Sequence, residues 1–191
     1  MQGRRPLVLF VAPLALVLGL LPGPALLAAG QEKLLHSFCT VSGCPDGESP
    51  YFAGVVFDTD GNLYGTTTGG GVYGQGTVFE LVPDAAGRWT ERVLHSFQDD
   101  GQDGFYPMAG LVVDRSGNLY GATDLGGEHG GGTVFELTRR RGQKWTEKIL
   151  HSFDDNGRDG YLPRAGLILD SNGNLYATTM AGGTYGGGDC L

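Results

Sequence analysis

Gly110–Asp114 (GLVVD), Asn118–Thr123 (NLYGAT) and Thr133–Thr138 (TVFELT) decide how this chain is read. Apolar residues recur in each at a period near two, and Gly, Asn or Asp bounds each run, which is the signature of short strands joined by turns. Arg115-Ser116-Gly117 separates the first two runs and a glycine-rich loop the next two. A fourth run, Trp145–Phe153, follows a basic turn. In it Trp145, Glu147, Ile149, His151 and Phe153 alternate with Thr146, Lys148, Leu150 and Ser152. Charges fall on both faces, as expected of an outer strand only half covered.

This block is not unique in the chain. GNLY begins at Gly61, Gly117 and Gly173, TVFEL at Thr77 and Thr133, and LHSF at Leu35, Leu94 and Leu150. GNLY and TVFEL recur every 56 residues, and Val93–Gly132 matches Ile149–Gly188 at 23 of 40 positions without a gap. Such a chain is one structural unit multiplied. Four antiparallel strands per unit predict an all-β fold, a β-propeller-like array of four-stranded blades with a period of about 56 residues. The expected organisation is a signal peptide at 1–30 and tandem β repeats at 31–191. The latter comprise an outer strand at 32–38, units at 53–97 and 109–153, and a partial unit at 165–188.

In a closed propeller the lone outer strand would complete an unfinished blade made by the other end of the chain. Closed propellers typically have four to eight blades, more than this length provides. The sequence leaves open a truncated copy of a longer array, which is favoured, closure by several chains, or an open sheet.

Glycine makes up 35 of 191 residues without a strict G-X-Y period, which excludes collagen, and clusters such as Gly69–Gly71 exclude a helical bundle. With 40% of residues hydrophobic the chain can still bury a core. The Asp-x-x-Gly-Asn turns at Asp114–Asn118 and Asp170–Asn174 give many glycines a hairpin role. The clusters near Gly69, Gly130 and Gly186 are expected to let backbones approach closely.

At the N-terminus Arg4 and Arg5 precede an apolar run from Leu7 to Leu21, a Pro22-Gly23-Pro24 break and the small residues Ala28-Ala29-Gly30, the pattern of a cleaved signal peptide. Gln31 stands where a lipoprotein would need cysteine, so neither a lipid anchor nor a stable membrane span is expected. Cleavage leaves 11 basic against 21 acidic residues. A surface of that sign disfavours nucleic acid as a partner.

LHSF, the AGL-apolar-apolar-Asp run, GNLYG, GGGTVFEL and the tryptophan before the next LHSF together resemble the GloVer tandem repeat of exported bacterial "choice-of-anchor" proteins, from Lys33 to about Gly188. The resemblance implies a secreted or surface-held repeat protein with no established enzymatic activity.

Few residues suggest chemistry. His36, His95 and His151 occupy equivalent positions on the strand proposed to be outermost, where a repeated packing or hydrogen-bonding role is favoured over metal binding. Asp58 and Asp60 in one turn and Asp154 and Asp159 in another supply oxygen ligands of the kind Ca²⁺ prefers, but neither loop completes an EF-hand. No cofactor is therefore expected: a plain aspartate turn is favoured, with calcium as the alternative. Cys39 and Cys44 are expected to form a local disulfide in an oxidising compartment, leaving Cys190 over. The favoured function is a non-catalytic module binding a protein or glycan through Tyr64, Tyr120, Tyr176 and the loops Phe105-Tyr106 and Tyr161, with self-association as a further option. The alternative is an extracellular propeller-type hydrolase or lyase acting on a polysaccharide.

Overall fold

A computed structural model describes residues 8–10, 32–50, 53–139 and 144–184. Every regular element among them is a strand. β1 (Val8–Phe10) and β2 (Glu32–Leu34) pair with each other. β3 (Val56–Phe57), β4 (Leu63–Thr67), β5 (Thr77–Pro83) and β6 (Trp89–Ser96) then form a four-stranded antiparallel sheet in chain order. The second unit contributes β7 (Gly104–Phe105), β8 (Val112–Val113), β9 (Leu119–Thr123), β10 (Leu125–Gly126), β11 (Thr133–Arg139) and β12 (Trp145–Ser152). Of these, β8, β9, β11 and β12 make a second four-stranded sheet, while β10 pairs with β7. In the third unit β13 (Gly160–Tyr161) pairs with β16 (Ala181–Gly182), and β14 (Ile168–Leu169) with β15 (Leu175–Tyr176). None of the sheets closes on itself.

The four runs of the second unit are therefore strands in the expected order. Two expectations change. The strand placed at 32–38 ends at Leu34 and takes β1 as its partner, and residues 35–38 instead cover the first sheet. In the partial unit expected at 165–188, the first two strands, β14 and β15, are only two residues each. β4 and β9 are each held between two neighbours, whereas β15 has a ladder on one side only among the described residues. Apart from the Val8–Phe10 backbone, the expected signal peptide lies outside the described residues, as do Gly186 and Cys190.

The hairpin between the first two strands of each unit is built by one aspartate. Asp114 Oδ1 accepts the backbone N–H groups of Ser116 and Asn118 at 2.7 and 2.9 Å, and Oδ2 accepts the Asn118 amide at 2.9 Å. Gly117 sits at φ +82°, which a side chain adopts only at a cost. Asp58 and Asp170 repeat the arrangement.

Strand alternation then assigns each sheet two apolar faces. On one face of the first sheet Leu63, Phe79 and Leu81 pack with Phe38, Leu35 and Trp89. On the other, Tyr64, Val78 and Phe97 meet Leu111, Leu119, Phe135 and Leu137 of the second sheet. Val134 passes the pattern on, packing with Phe153, Leu167 and Ala177. Neighbouring sheets thus share a core.

The outer strands carry a bulge that serves this sharing. Val78 pairs with His95 but Phe79 with Val93, so Leu94 is an extra residue; Leu150 is extra in the same way in β12. A bulge re-aims the side chains beyond it. Here those are the histidine and phenylalanine of LHSF, and both phenylalanines are fully buried.

The glycine clusters divide by role. A Cβ on Gly70 would lie 2.6 Å from Cys44 O, so the backbones do approach closely there. In the cluster near Gly130 a Cβ on Gly131 would likewise lie 2.6 Å from Phe153 O, while Gly130 itself, in open space at φ +78°, is a turn residue.

Candidate functional site

After each LHSF comes a loop with the pattern Asp-Gly-x-x-Pro: Asp46–Pro50, Asp103–Pro107 and Asp159–Pro163. His36, His95 and His151 donate through Nε2 to Oδ2 of these aspartates at 3.1, 3.1 and 2.9 Å. The imidazoles also stand edge-on to Phe38, Phe97 and Phe153 at 4.6 to 4.7 Å. The three histidines thus pack and hydrogen-bond in the same way in each unit.

The residue before each proline, Ser49, Tyr106 and Leu162, sits at φ +57 to +59°. That left-handed backbone costs a non-glycine residue roughly 1–2 kcal/mol. It lets the second and third loops join two units: Tyr106 N–H donates to Gln75 O of the preceding unit, while its carbonyl accepts Asp124 N–H of its own. Leu162 repeats this with Gly131 and Met180. Within this loop Gly104 is required, because a Cβ would fall 2.5 Å from Thr133 Oγ1.

A second recurring constellation links the aspartate turn to the middle strand. Tyr64 OH lies 2.9 Å from Asp58 Oδ2 and 3.0 Å from Glu80 Oε1, and Tyr120 OH lies 3.1 Å from both Asp114 Oδ2 and Glu136 Oε1. Burial, then the two carboxylates, hold both phenols protonated, and Tyr120 is pushed up to about 12. At Asp58 and Asp114 burial opposes ionisation, but the donated hydrogen bonds outweigh it and keep both carboxyls below the usual range. Tyr64 is consequently 3% exposed and belongs to the core. The expected aromatic binding face therefore loses Tyr64, and of the three equivalent tyrosines only Tyr176 is exposed.

The calcium candidates remain in two separate loops. Both Asp58 oxygens are occupied by the turn and by Tyr64. Asp60 is exposed beside it. Asp154 accepts the Asn156 amide, and Asp159 accepts His151, Asp154 N–H and Gly160 N–H. Cys39 and Cys44 are disulfide-bonded with Cα atoms 4.1 Å apart. Near them, Asp46 Oδ1 accepts Cys39 N–H at 3.1 Å.

The junction between the two large sheets adds a group the sequence reading missed. Glu147 lies on the same face of β12 as Trp145 and Ile149, which pack into the shared core, so its carboxylate is carried against the first sheet. Glu147 Oε2 stands 3.5 Å from His95 Nε2. Its side chain is 14% exposed, that of Asp103 12%, and Glu147 Oε1 and Asp103 Oδ1 are buried atoms without a hydrogen-bond partner. Burial raises the Glu147 carboxyl, with the Asp103 charge adding to it and His95 opposing it. Burial opposes protonation of His95, but Asp103 and Glu147 together raise it. One junction earlier, Glu91 is pushed up to about 7 by burial and by the charge of Asp46, and Glu91 Oε1 is likewise unpartnered. The available signal was Trp-Thr-Glu, at Trp89–Glu91 and Trp145–Glu147, which puts the glutamate on the tryptophan's side of the strand.

Beside the same junction lies a cleft of about 290 Å³ bordered by Glu80, Arg92, Leu94, Arg139, Lys144 and Trp145. Its three cations stand out in a chain of formal charge −8.

Stacked antiparallel sheets with a shared core at each junction, and the same hydrogen bonds in successive units, define a tandem-repeat β protein. The chain belongs to the Gloeobacter/Verrucomicrobia repeat family, whose model matches residues 26–190. No curated protein matches it. Among the described residues, no helix is long and apolar enough to cross a membrane.

Proposed function

We propose that this chain is an exported, propeller-like repeat module that binds a protein or glycan ligand without transforming it. One observation carries this reading: the polar side chains that recur in every unit are taken up by the fold. His36, His95 and His151 hold loop aspartates, and Asp58, Asp114 and Asp170 hold hairpins. A catalytic centre needs unlike residues at equivalent places in the fold. Here the differences concentrate in loops, as where exposed Val72-Tyr73 in one unit corresponds to Glu128-His129 in the next. Exposed apolar residues on loop tips suit recognition. The N-terminal pattern of charge, apolar run and small residues supports export.

Glycan-array and pull-down screening of the secreted chain tests the proposal. Retention of a specific ligand that Tyr73→Ser weakens supports it. Turnover of any polymer by the purified chain overturns it in favour of a hydrolase or lyase.

A further inference from the structure

We propose that His95, Asp103 and Glu147 form a Zn²⁺ site that ties the outer strand of the second sheet to the first. The three residues come from β6, from the loop after it and from β12, and one ligand atom of each lies within 4.8 Å of the other two. His95 Nε2 is 3.1 Å from Asp103 Oδ2 and 3.5 Å from Glu147 Oε2. Two ligands held at roughly 2.0–2.2 Å in a tetrahedral array are about 3.3–3.6 Å apart, which the His95–Glu147 separation of 3.5 Å matches and the His95–Asp103 separation of 3.1 Å, a direct hydrogen bond, falls just short of.

The chemistry of the donors points the same way. One imidazole nitrogen and two carboxylate oxygens form a mixed set suited to Zn²⁺ rather than to Ca²⁺, which takes oxygen ligands alone. Two carboxylates balance the charge of the ion. The second observation is the pair of oxygens: Glu147 Oε1 and Asp103 Oδ1 are buried and receive no N–H or O–H from the rest of the protein, the two carboxyls having only each other, at a site where desolvation of each is expensive. An ion between them offsets that penalty, binding in place of the proton on His95 Nε2. The Cys39, Cys44 and Glu48 group does not compete, because its sulfurs are joined to each other.

Glu91 is the internal control. It occupies the equivalent strand position within reach of the Asp46 charge, but Glu91, His36 and Asp46 do not come within the same distance of one another. Zn²⁺ added to untagged, chelator-stripped full-length chain is expected to bind and to raise the melting temperature. Glu147→Gln, which keeps the side-chain volume, should weaken binding at least tenfold, while Glu91→Gln should bind as the parent does. Co²⁺ should shift the His95 ring signals in the parent chain, a readout that requires no variant to fold. Absence of Zn²⁺ binding at micromolar concentration, unaltered affinity in a folded Glu147→Gln chain, or unmoved His95 signals would each overturn the proposal. In any of these cases the junction holds a shared proton instead.

Discussion

Phe97 and Phe135 pack edge to face with ring centroids 5.2 Å apart, although they belong to different sheets. Phe38 and Phe79 make the equivalent contact one junction earlier, tilted by 58° with ring centroids 4.8 Å apart. The phenylalanine of LHSF thus fills the core that its own sheet shares with the following one. Truncating a buried phenylalanine costs about 3–5 kcal/mol. Phe97→Ala should therefore lower stability by that amount in urea denaturation, while Tyr73→Ala on an exposed loop should change it by less than about 0.5 kcal/mol.

Arg164 grips Asp124 through two nitrogens, at 2.7 and 3.0 Å, joining the third unit to the second. The aspartate side chain is buried and the guanidinium about half exposed. Solvent screening reduces what the pair contributes, so Arg164→Ala should cost about 1–2 kcal/mol. Hydrogen exchange should show the loss first around β14 and β15.

The two kinds of partly buried carboxyl give opposite pH dependences. Asp58 and Asp114 are held below their usual 3.8, so the stability they confer is present above that value and is lost as pH falls through the lower folded value. Glu91 behaves the other way. Its folded value of about 7 exceeds the usual 4.5, the folded chain binds more protons between the two, and stability declines as pH rises across that window. Denaturation from pH 4.5 to 7 should show this decline in the parent and a flatter profile in Glu91→Gln.

The left-handed residue before each proline is also open to test. Asparagine tolerates that conformation better than serine does. Ser49→Asn should raise stability by about 0.5 kcal/mol, and thermal melting should detect it.

How much of this was legible in the sequence depends on how local each feature is. The hairpin at Asp114–Asn118 and the strands around it are settled by residues within a few positions of one another, and turn chemistry with period-two alternation found them. The bond from His95 to Asp103 spans a short loop, and the thrice-repeated Asp-Gly-x-x-Pro was a signal that went unused, since nothing in a histidine alone names its acceptor. Glu147 was harder. Its place is fixed by the packing of Trp145 and Ile149 against another sheet, and charges on both faces of that strand suggested half exposure instead. Tyr64 was misplaced for the converse reason: an aromatic residue in a repeated polar turn resembles a binding residue until its hydroxyl is seen between Asp58 and Glu80.

Because each LHSF phenylalanine seals the core between its own sheet and the next, the packing unit straddles two sheets. A recombination that joins one LHSF to another inserts a sheet together with the ring that seals its junction, and every new junction reuses the same phenylalanine contact. An array put together this way can change its length without inventing an interface. A break inside a sheet has no such freedom, since it would leave two cores half filled.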